Sequence, residues 1–434
     1  MTLKKARLFP NISTLGYYDP FKFKIHLNIF TEDEFKNIRN ASYAKTAILV
    51  HELQHWVDHH STLWGIKYLE KIFNSYHVCI FPHEAVLYNH RQLGLFINRN
   101  IFNEYYTEKY NEAVGTFDNR WMFRLTAGFR FDYKGNVDRS KPIPFIRFYD
   151  HNDKPIIRLP ISVAALLEAT AVYSEYRYKL NAISTLGEPH RNNQLARINK
   201  DLEMLLYNSD LTIYSGIVHM TAKFLDIQNP LEAYHCSAII SKITLNLPQT
   251  VMAMISIPKE HELPDNACKQ MVSNGELGYV YFILLSNYAR ANEEFNMDNF
   301  TTDNILKSSN LPREKEIIEI IESEINEIDT KMLLNKNAFT NLWLDYIFQG
   351  KSNLNSFGIS QFELDIKNSE KNIFNNCNRV NPEISLMDSS YLQQDIKAIN
   401  QKIITNISLS LEEWEAFTDY CEERIFGFNE ICGI

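Results

Sequence analysis

The stretch Ile48-Leu-Val-His-Glu-Leu-Gln-His-Trp-Val57 decides how the rest of the chain is interpreted. Successive residues of an α-helix are turned by about 100°, so residues four apart differ by about 40°. His51 and His55 would therefore project from one helix face, with Glu52 one step further round the helix. Apolar residues precede and follow the histidines, which indicates a buried helix. We predict that it runs to about His60, with Asn40 or Ser42 as its cap.

Two histidines at this spacing can ligate one metal ion, and a glutamate beside them is placed to act as a base. The alternative interpretation is a pair of packed core histidines. Chance matches to this pattern are rare, and no charged residue occupies either position between Glu52 and His55. The sequence therefore favours a zinc site on this helix.

A tetrahedral zinc site needs at least a third protein ligand. Glu168 is the preferred candidate, because it stands in an almost wholly apolar helical stretch (161–172), where a carboxylate is costly to bury without a positive partner. Asp58 and His59 lie on the same helix as His51 and are better suited to orienting an imidazole. More distant histidines, His219 and His235, are further alternatives.

Together, His51, Glu52, His55 and Glu168 resemble the gluzincins, the branch of the zincin metallopeptidases whose third ligand is a glutamate on a later helix. As in several gluzincins, an alanine, Ala171, follows that glutamate after three residues. The resemblance covers only these two helices. It implies zinc held by His51, His55 and Glu168, and a catalytic Glu52 that takes a proton from the zinc-bound water.

The resemblance also leaves two roles open. Val172 stands where many gluzincins have an Asp or Asn that supports the ligands, and Glu175 is a possible substitute. The group that stabilises the oxyanion is not identified by the sequence. The candidates for that role are Tyr173, Tyr176, Arg124, Tyr214 and His219.

Hydrophobic patterning along the chain predicts an α+β fold that is predominantly α-helical. A strand is expected at 21–30, helices at 62–77, 83–93 and 101–112, and a small β region at about 120–160. Further helices are expected at about 162–180, 190–207, 209–226, 231–246 and 276–291, and one along the Ile317–Met332 face. Residues 351–382 suggest a long polar loop, and the last 40 residues suggest helix.

With the resemblance, this pattern suggests a zincin-like metallopeptidase core at 1–300, carrying an inserted α/β subdomain at about 62–160. Residues 301–434 would form a helical C-terminal region, a candidate for substrate recognition. The expected function is zinc-dependent hydrolysis of a peptide bond in an intracellular protein or peptide. The alternatives are a non-proteolytic zinc-binding or interaction protein that keeps a zincin-like core, and a narrow-specificity toxin, effector or defence protease.

Composition limits the partners. The 434 residues carry a formal net charge of −9 and no dense Lys/Arg run, which argues against nucleic acid as a partner. No apolar run is long enough to span a bilayer, and no signal peptide is evident, so we expect a cytoplasmic protein with no membrane partner. No Cys-x-x-Cys pair occurs, which fits a reducing compartment. The six scattered cysteines are Cys79, Cys236, Cys268, Cys377, Cys421 and Cys432.

Overall fold

The structure is a computed structural model of the chain. It describes residues 15–36, 38, 41–81, 87–101, 106–132, 135–258, 263–295, 299–332, 338–360, 383–386 and 395–432. Helices dominate this part of the chain and two small sheets accompany them, so the predicted α+β, mainly helical class is confirmed.

The helices and strands follow in chain order. The helices are α1 (Glu32–Lys36), α2 (Tyr43–Ser61), α3 (Leu63–Ile80), α4 (Tyr88–Asn100), α5 (Val163–Ile183), α6 (His190–Leu206), α7 (Thr212–Phe224), α8 (Pro230–Asn246), α9 (Gln249–Met252), α10 (Asp265–Ser273), α11 (Leu277–Phe295), α12 (Thr302–Ser308), α13 (Glu314–Met332), α14 (Ala338–Phe357), α15 (Ile396–Ile404) and α16 (Leu411–Ile431). The strands are β1 (Gly16–Asp19), β2 (Lys24–Leu27), β3 (Glu108–Lys109), β4 (Met122–Phe131), β5 (Val137–Tyr149), β6 (Pro155–Pro160) and β7 (Glu383–Ser385).

The predicted strand at 21–30 is only partly right, because the chain forms a hairpin there. β1 and β2 pair antiparallel, and the turn between them includes residues 20–23. Asp19 Oδ1 accepts hydrogen bonds from the backbone N–H of Phe21 (3.0 Å) and Lys22 (3.3 Å), which fixes this turn. Phe23 has a φ of 57°. The alternation of apolar residues therefore continues through a turn that the sequence pattern did not reveal.

Two other expectations differ from the structure. The predicted helix at 101–112 is wrong where the chain is described, since Glu108–Lys109 forms strand β3. The predicted loop at 351–382 is wrong at its start, because α14 continues to Phe357. The remainder of that stretch, residues 361–382, lies outside the described residues. The predicted β region at 120–160 is confirmed as a sheet with strand order β3-β6-β5-β4.

The chain divides into two compact units. The first comprises residues 1–99, 319–358 and 362–434, and the second comprises residues 100–318 and 359–361. These bounds differ from the division near residue 300 that the sequence suggests. The extent of the functional domains stays a prediction.

The first unit is built around α2, α3, α14 and α16, together with the sheet β1-β2-β7. Its core is strongly aromatic: Trp56, Trp343, Tyr76 and Phe417 are fully buried. Lys24, almost fully buried in β2, pairs with the carboxylates of Glu415 and Glu383. A charge removed from water in this way is tolerated only when it is paired.

The second unit packs α5 against α8, α7 and α6, next to the four-stranded sheet. Ser162 caps α5 by accepting a hydrogen bond from the backbone N–H of Ala165 (3.3 Å). Arg130 and Glu276 form a buried pair at 2.8 Å. Residues 163–172 of α5 are all buried.

Among the described residues, no helix combines the length and the apolar character that crossing a membrane requires.

The turn from α2 into α3 allows no side chain at Gly65. A Cβ atom there would lie 2.3 Å from the His59 carbonyl oxygen and 2.5 Å from that of Asp58. Backbone atoms cannot rotate away, so we expect Gly65→Ala to lower the free energy of unfolding by about 1–3 kcal/mol or more. Urea unfolding followed by circular dichroism measures this.

Gly427→Ala is the matched control, because no atom lies within 4 Å of a Cβ at this position in α16. It should leave stability unchanged or raise it by up to about 1 kcal/mol. Equal effects of the two substitutions would contradict the close contact at Gly65.

Candidate metal centre

The histidine-bearing helix α2 is buried along most of its length. Ser42 caps it by accepting a hydrogen bond from the backbone N–H of Lys45 (3.3 Å), so one of the two predicted caps is confirmed. Every residue from Leu49 to Ser61 is buried. The prediction of a buried helix at this position is therefore confirmed.

His51 and His55 lie side by side on this helix. Their ring centroids are 4.9 Å apart and the ring planes are inclined at 80°. The two residues are 9% and 3% exposed. Such a pair can direct two nitrogen atoms toward one point, as the spacing of four residues predicts.

His51, His55 and Glu168 form a group that could hold a metal ion. One ligand atom from each of His51, His55 and Glu168 lies within 4.8 Å of the other two. In the described part of the chain, no other three His, Cys, Asp or Glu side chains form such a group. The carboxylate of Glu168 is fully buried, and its neighbours Ala164, Ala165 and Ala169 in α5 are buried as well.

The donor set fits a divalent transition metal. Two imidazoles and one carboxylate are ligands that zinc accepts, and three protein ligands leave the fourth tetrahedral position open. A cation would also neutralise the fully buried carboxylate of Glu168, which is otherwise expensive to hold in the protein interior.

Glu52 follows His51 directly in α2 and is 6% exposed. The backbone of β1 lies against it: a Cβ atom added to Gly16 would be 3.2 Å from Glu52 Cγ. The side chain of Glu52 is thus confined by a backbone segment, so that a larger residue at position 16 would press on it. No sequence pattern indicates this role of Gly16.

Asp58 and His59 are not part of the group of three, although both are buried. Asp58 Oδ1 accepts a hydrogen bond from Gln54 Nε2 at 2.8 Å. Nδ1 of His59 donates to the backbone carbonyl of His55 at 2.7 Å, and the ring packs edge-on against Tyr18. Burial lowers the pKa of His59 to about 3, so the ring is neutral at physiological pH.

His219 and His235, the distant alternatives for the third ligand, are used elsewhere. Nε2 of His219 donates to the carbonyl of Leu206 at 2.9 Å. His235 is exposed and stacks on Tyr173, with ring centroids 4.9 Å apart. Neither belongs to the group formed by His51, His55 and Glu168.

The candidates for oxyanion stabilisation have varied surroundings. Arg124 is exposed on β4 and pairs with Asp153 at 3.0 Å. Tyr176 is buried beneath Lys179, whose Nζ lies 4.3 Å from the ring centroid. Glu175, considered as a support for the ligands, pairs with the same Lys179 at 2.6 Å. None of these contacts identifies the oxyanion-stabilising group.

Tyr234 interacts electrostatically with Glu168, a relation that sequence reasoning missed. Its hydroxyl, on α8, donates to the backbone carbonyl of Tyr214 at 3.0 Å. Burial raises the pKa of Tyr234 well above the usual value, and the negative charges of Glu175 and Glu168 raise it further. Tyr234 therefore lies within electrostatic reach of Glu168. No local pattern links it to the motif, since it comes from a different helix.

Comparisons with protein-family models, with curated proteins and with solved structures give no match. Function is therefore argued from the residues of this chain.

His60, at the end of α2, makes stability sensitive to acid. It is 1% exposed and its Nδ1 donates to the carbonyl of Trp56 at 2.7 Å. Burial lowers its pKa to about 4. Above pH of about 6.5 the imidazole is neutral in both the folded and the unfolded chain. As the pH falls from there to about 4, only the unfolded chain takes up the proton, so stability is lost.

We therefore expect His60→Phe, in the presence of EDTA, to flatten the decline in unfolding free energy between pH 6 and 4 by up to about 1.4 kcal/mol per pH unit. Urea unfolding over a pH series measures the slope. The difference between the two proteins at pH 8 reports the packing change alone. Parallel pH profiles for the two proteins would contradict a neutral, buried His60.

Proposed function

We propose that this chain is a zinc-dependent metallopeptidase with a gluzincin-like core, which hydrolyses a peptide bond in a protein or peptide substrate. His51, His55 and Glu168 would hold the zinc ion, and Glu52 would be the general base. The observation that carries the proposal is the approach of three ligand atoms, one each from His51, His55 and Glu168, to within 4.8 Å of one another, next to the glutamate of the same motif.

The choice of catalysis over a structural metal site rests on the number of ligands. A structural zinc site has four protein ligands, whereas a catalytic site keeps one position for water or substrate. His59, on the same helix, does not belong to the group formed by His51, His55 and Glu168, which therefore counts three protein ligands among the described residues. In addition, Glu52 beside the ligands has no purpose in a structural site.

The chemistry divides between the metal and the chain. Zinc, when bound, supplies a Lewis acid that lowers the pKa of water and polarises a carbonyl. A carboxylate oxygen of Glu52 accepts the proton of the attacking water and returns it to the amine nitrogen that leaves. The contact of β1 with Glu52 limits the positions that this carboxylate can take, which favours proton transfer in one geometry.

The reducing cytoplasm is part of the proposal. Five cysteines lie among the described residues and all are free thiols, four of them buried. Free thiols without disulfides are typical of a reducing compartment, which the scattered cysteines of the sequence also suggest.

Zinc content tests the ligand assignment. We expect about one zinc per chain in the wild type, and a loss of zinc affinity of at least about 100-fold in Glu168→Gln, because removing even a supporting residue costs 10–100-fold. Inductively coupled plasma mass spectrometry after dialysis against a chelator of known affinity measures it.

Glu232→Gln is the matched control, because it removes the same charge at an exposed position of α8 in the same unit, and Glu232 has no proposed role at the metal centre. It should keep zinc at the wild-type affinity. Wild-type zinc affinity in Glu168→Gln would overturn the assignment of Glu168, and so would an equal loss of affinity in both variants.

Glu52→Gln separates metal binding from hydrolysis. We expect it to keep its zinc and to cleave at a rate at least about 100-fold below that of the wild type, because a positioned base contributes about 10²–10⁴-fold. Mass spectrometry of new termini in unfolded casein and in a diverse peptide library measures cleavage, with chelator-treated wild type as the control.

Equal cleavage by Glu52→Gln and wild type would contradict the role of Glu52. Zinc-loaded wild type that cuts neither probe would favour the non-proteolytic alternative or a protease of narrow specificity. Those two are separated by adding acetohydroxamate to the cobalt-substituted protein. An open coordination position changes the visible spectrum, and a closed structural site does not.

A further inference from the structure

A cavity in the second unit has features of a binding site that the proposed peptidase reaction does not use. Its volume is about 510 Å³, which lies in the range of small-molecule sites. Residues from the start of β4, from α7 and from the beginning of α8 line it. All the residues that line the cavity belong to the second unit.

Aromatic rings form much of the cavity wall. Trp121 and Tyr207 meet edge to face with centroids 5.6 Å apart, and Trp121 stacks on His219 at 6.1 Å. Phe123 adds a further ring. Because these rings brace one another, the wall offers rigid apolar surface to the flat body of a ligand.

Cations exceed carboxylates around the cavity. Arg120, Arg124 and Lys223 line it, against Asp153 and Asp226. Arg124 is paired with Asp153 at 3.0 Å. Among the described residues, Arg120 and Lys223 form no salt bridge.

The contacts of these two cations leave donors for a ligand. Nε of Arg120 donates to the carbonyl of Phe117 at 3.0 Å, which anchors the side chain while its terminal nitrogens make no described hydrogen bond. Nζ of Lys223 lies 4.8 Å from the centroid of the Phe123 ring. A positive charge thus stands directly beside an aromatic wall.

His219 adds no charge to the cavity. Its Nε2 donates to the carbonyl of Leu206, and burial lowers its pKa to about 4. At neutral pH the electrostatics of the site are therefore set by the arginines, the lysine and the two carboxylates.

We propose that this cavity binds a small organic anion with an aromatic or similarly flat body. Its carboxylate or phosphate group meets Arg120 and Lys223, and its body covers Trp121 and Phe123. A guanidinium group offers parallel N–H donors that match either anionic group. The metal centre takes no part in this binding, so the test of the cavity is independent of the proposed peptidase function.

Isothermal titration calorimetry with phenyl phosphate and with benzoate at low ionic strength tests this, using the full chain with and without EDTA. We expect binding that EDTA does not affect and that is weakened about fivefold or more by Arg120→Gln or Lys223→Gln. Asp226→Asn should strengthen binding by about two- to fivefold, because it removes a repulsive charge. Higher salt should weaken it.

Lys200→Gln is the matched control, because Lys200 is exposed on α6 in the same unit and does not line the cavity. It should leave the affinity unchanged. Inorganic phosphate, which lacks the ring, and benzyl alcohol, which lacks the charge, should bind at least about tenfold more weakly than phenyl phosphate.

Several results would overturn the proposal: no heat of binding with either aromatic anion, inorganic phosphate binding as tightly as phenyl phosphate, or equal weakening by Lys200→Gln and Arg120→Gln. Binding that disappears with EDTA would assign the anion to the metal centre instead. All the substituted side chains are exposed, so folding should be preserved, and circular dichroism checks this.

Discussion

The burial of a polar helix is the constraint on which the candidate site depends. Residues 49–61 of α2 are all buried, yet they include seven ionisable or amide side chains, about two for every turn: His51, Glu52, Gln54, His55, Asp58, His59 and His60. Polar groups away from water must find partners, and here several find them one turn away in the same helix. Gln54 reaches Asp58, His59 reaches the carbonyl of His55, and His60 reaches that of Trp56.

These local hydrogen bonds sort the four histidines of the helix into two kinds. His59 and His60 donate through Nδ1 to backbone carbonyls and stay neutral, because burial lowers their pKa values to about 3 and 4. His51 and His55 have a ligand atom each near the carboxylate of Glu168. The helix thus combines two histidines that stabilise the fold with two whose ligand atoms belong to the group that could hold a metal ion.

Glycines fix the position of this helix within its unit. A Cβ atom at Gly350 in α14 would lie 2.0 Å from the His60 carbonyl oxygen, and Gly65 touches the carbonyls of Asp58 and His59 in the same way. Direct backbone contact leaves little freedom for α2 to shift. A metal ligand set needs such rigid support, since small displacements of its side chains weaken binding.

The sequence predicted the parts of this site that depend on local pattern. Helix geometry explains the spacing of His51 and His55 and the cap at Ser42. Glu168 is predictable because a carboxylate in an apolar helix is costly to bury without a positive partner. The hairpin at Gly16–Leu27 was missed, because its alternating aromatics continue into the turn that Asp19 holds. Tyr234 and the contact of Gly16 with Glu52 could not be predicted, because both depend on how distant segments pack.

The most direct test of the central claim is anomalous X-ray diffraction from crystals of the zinc-loaded protein, recorded on both sides of the zinc absorption edge. The account predicts one strong peak per chain, within about 2.0–2.2 Å of nitrogen atoms of His51 and His55 and of a carboxylate oxygen of Glu168. A peak bonded to other residues, or a zinc ion on the two histidines with Glu168 turned away from it, would contradict the account.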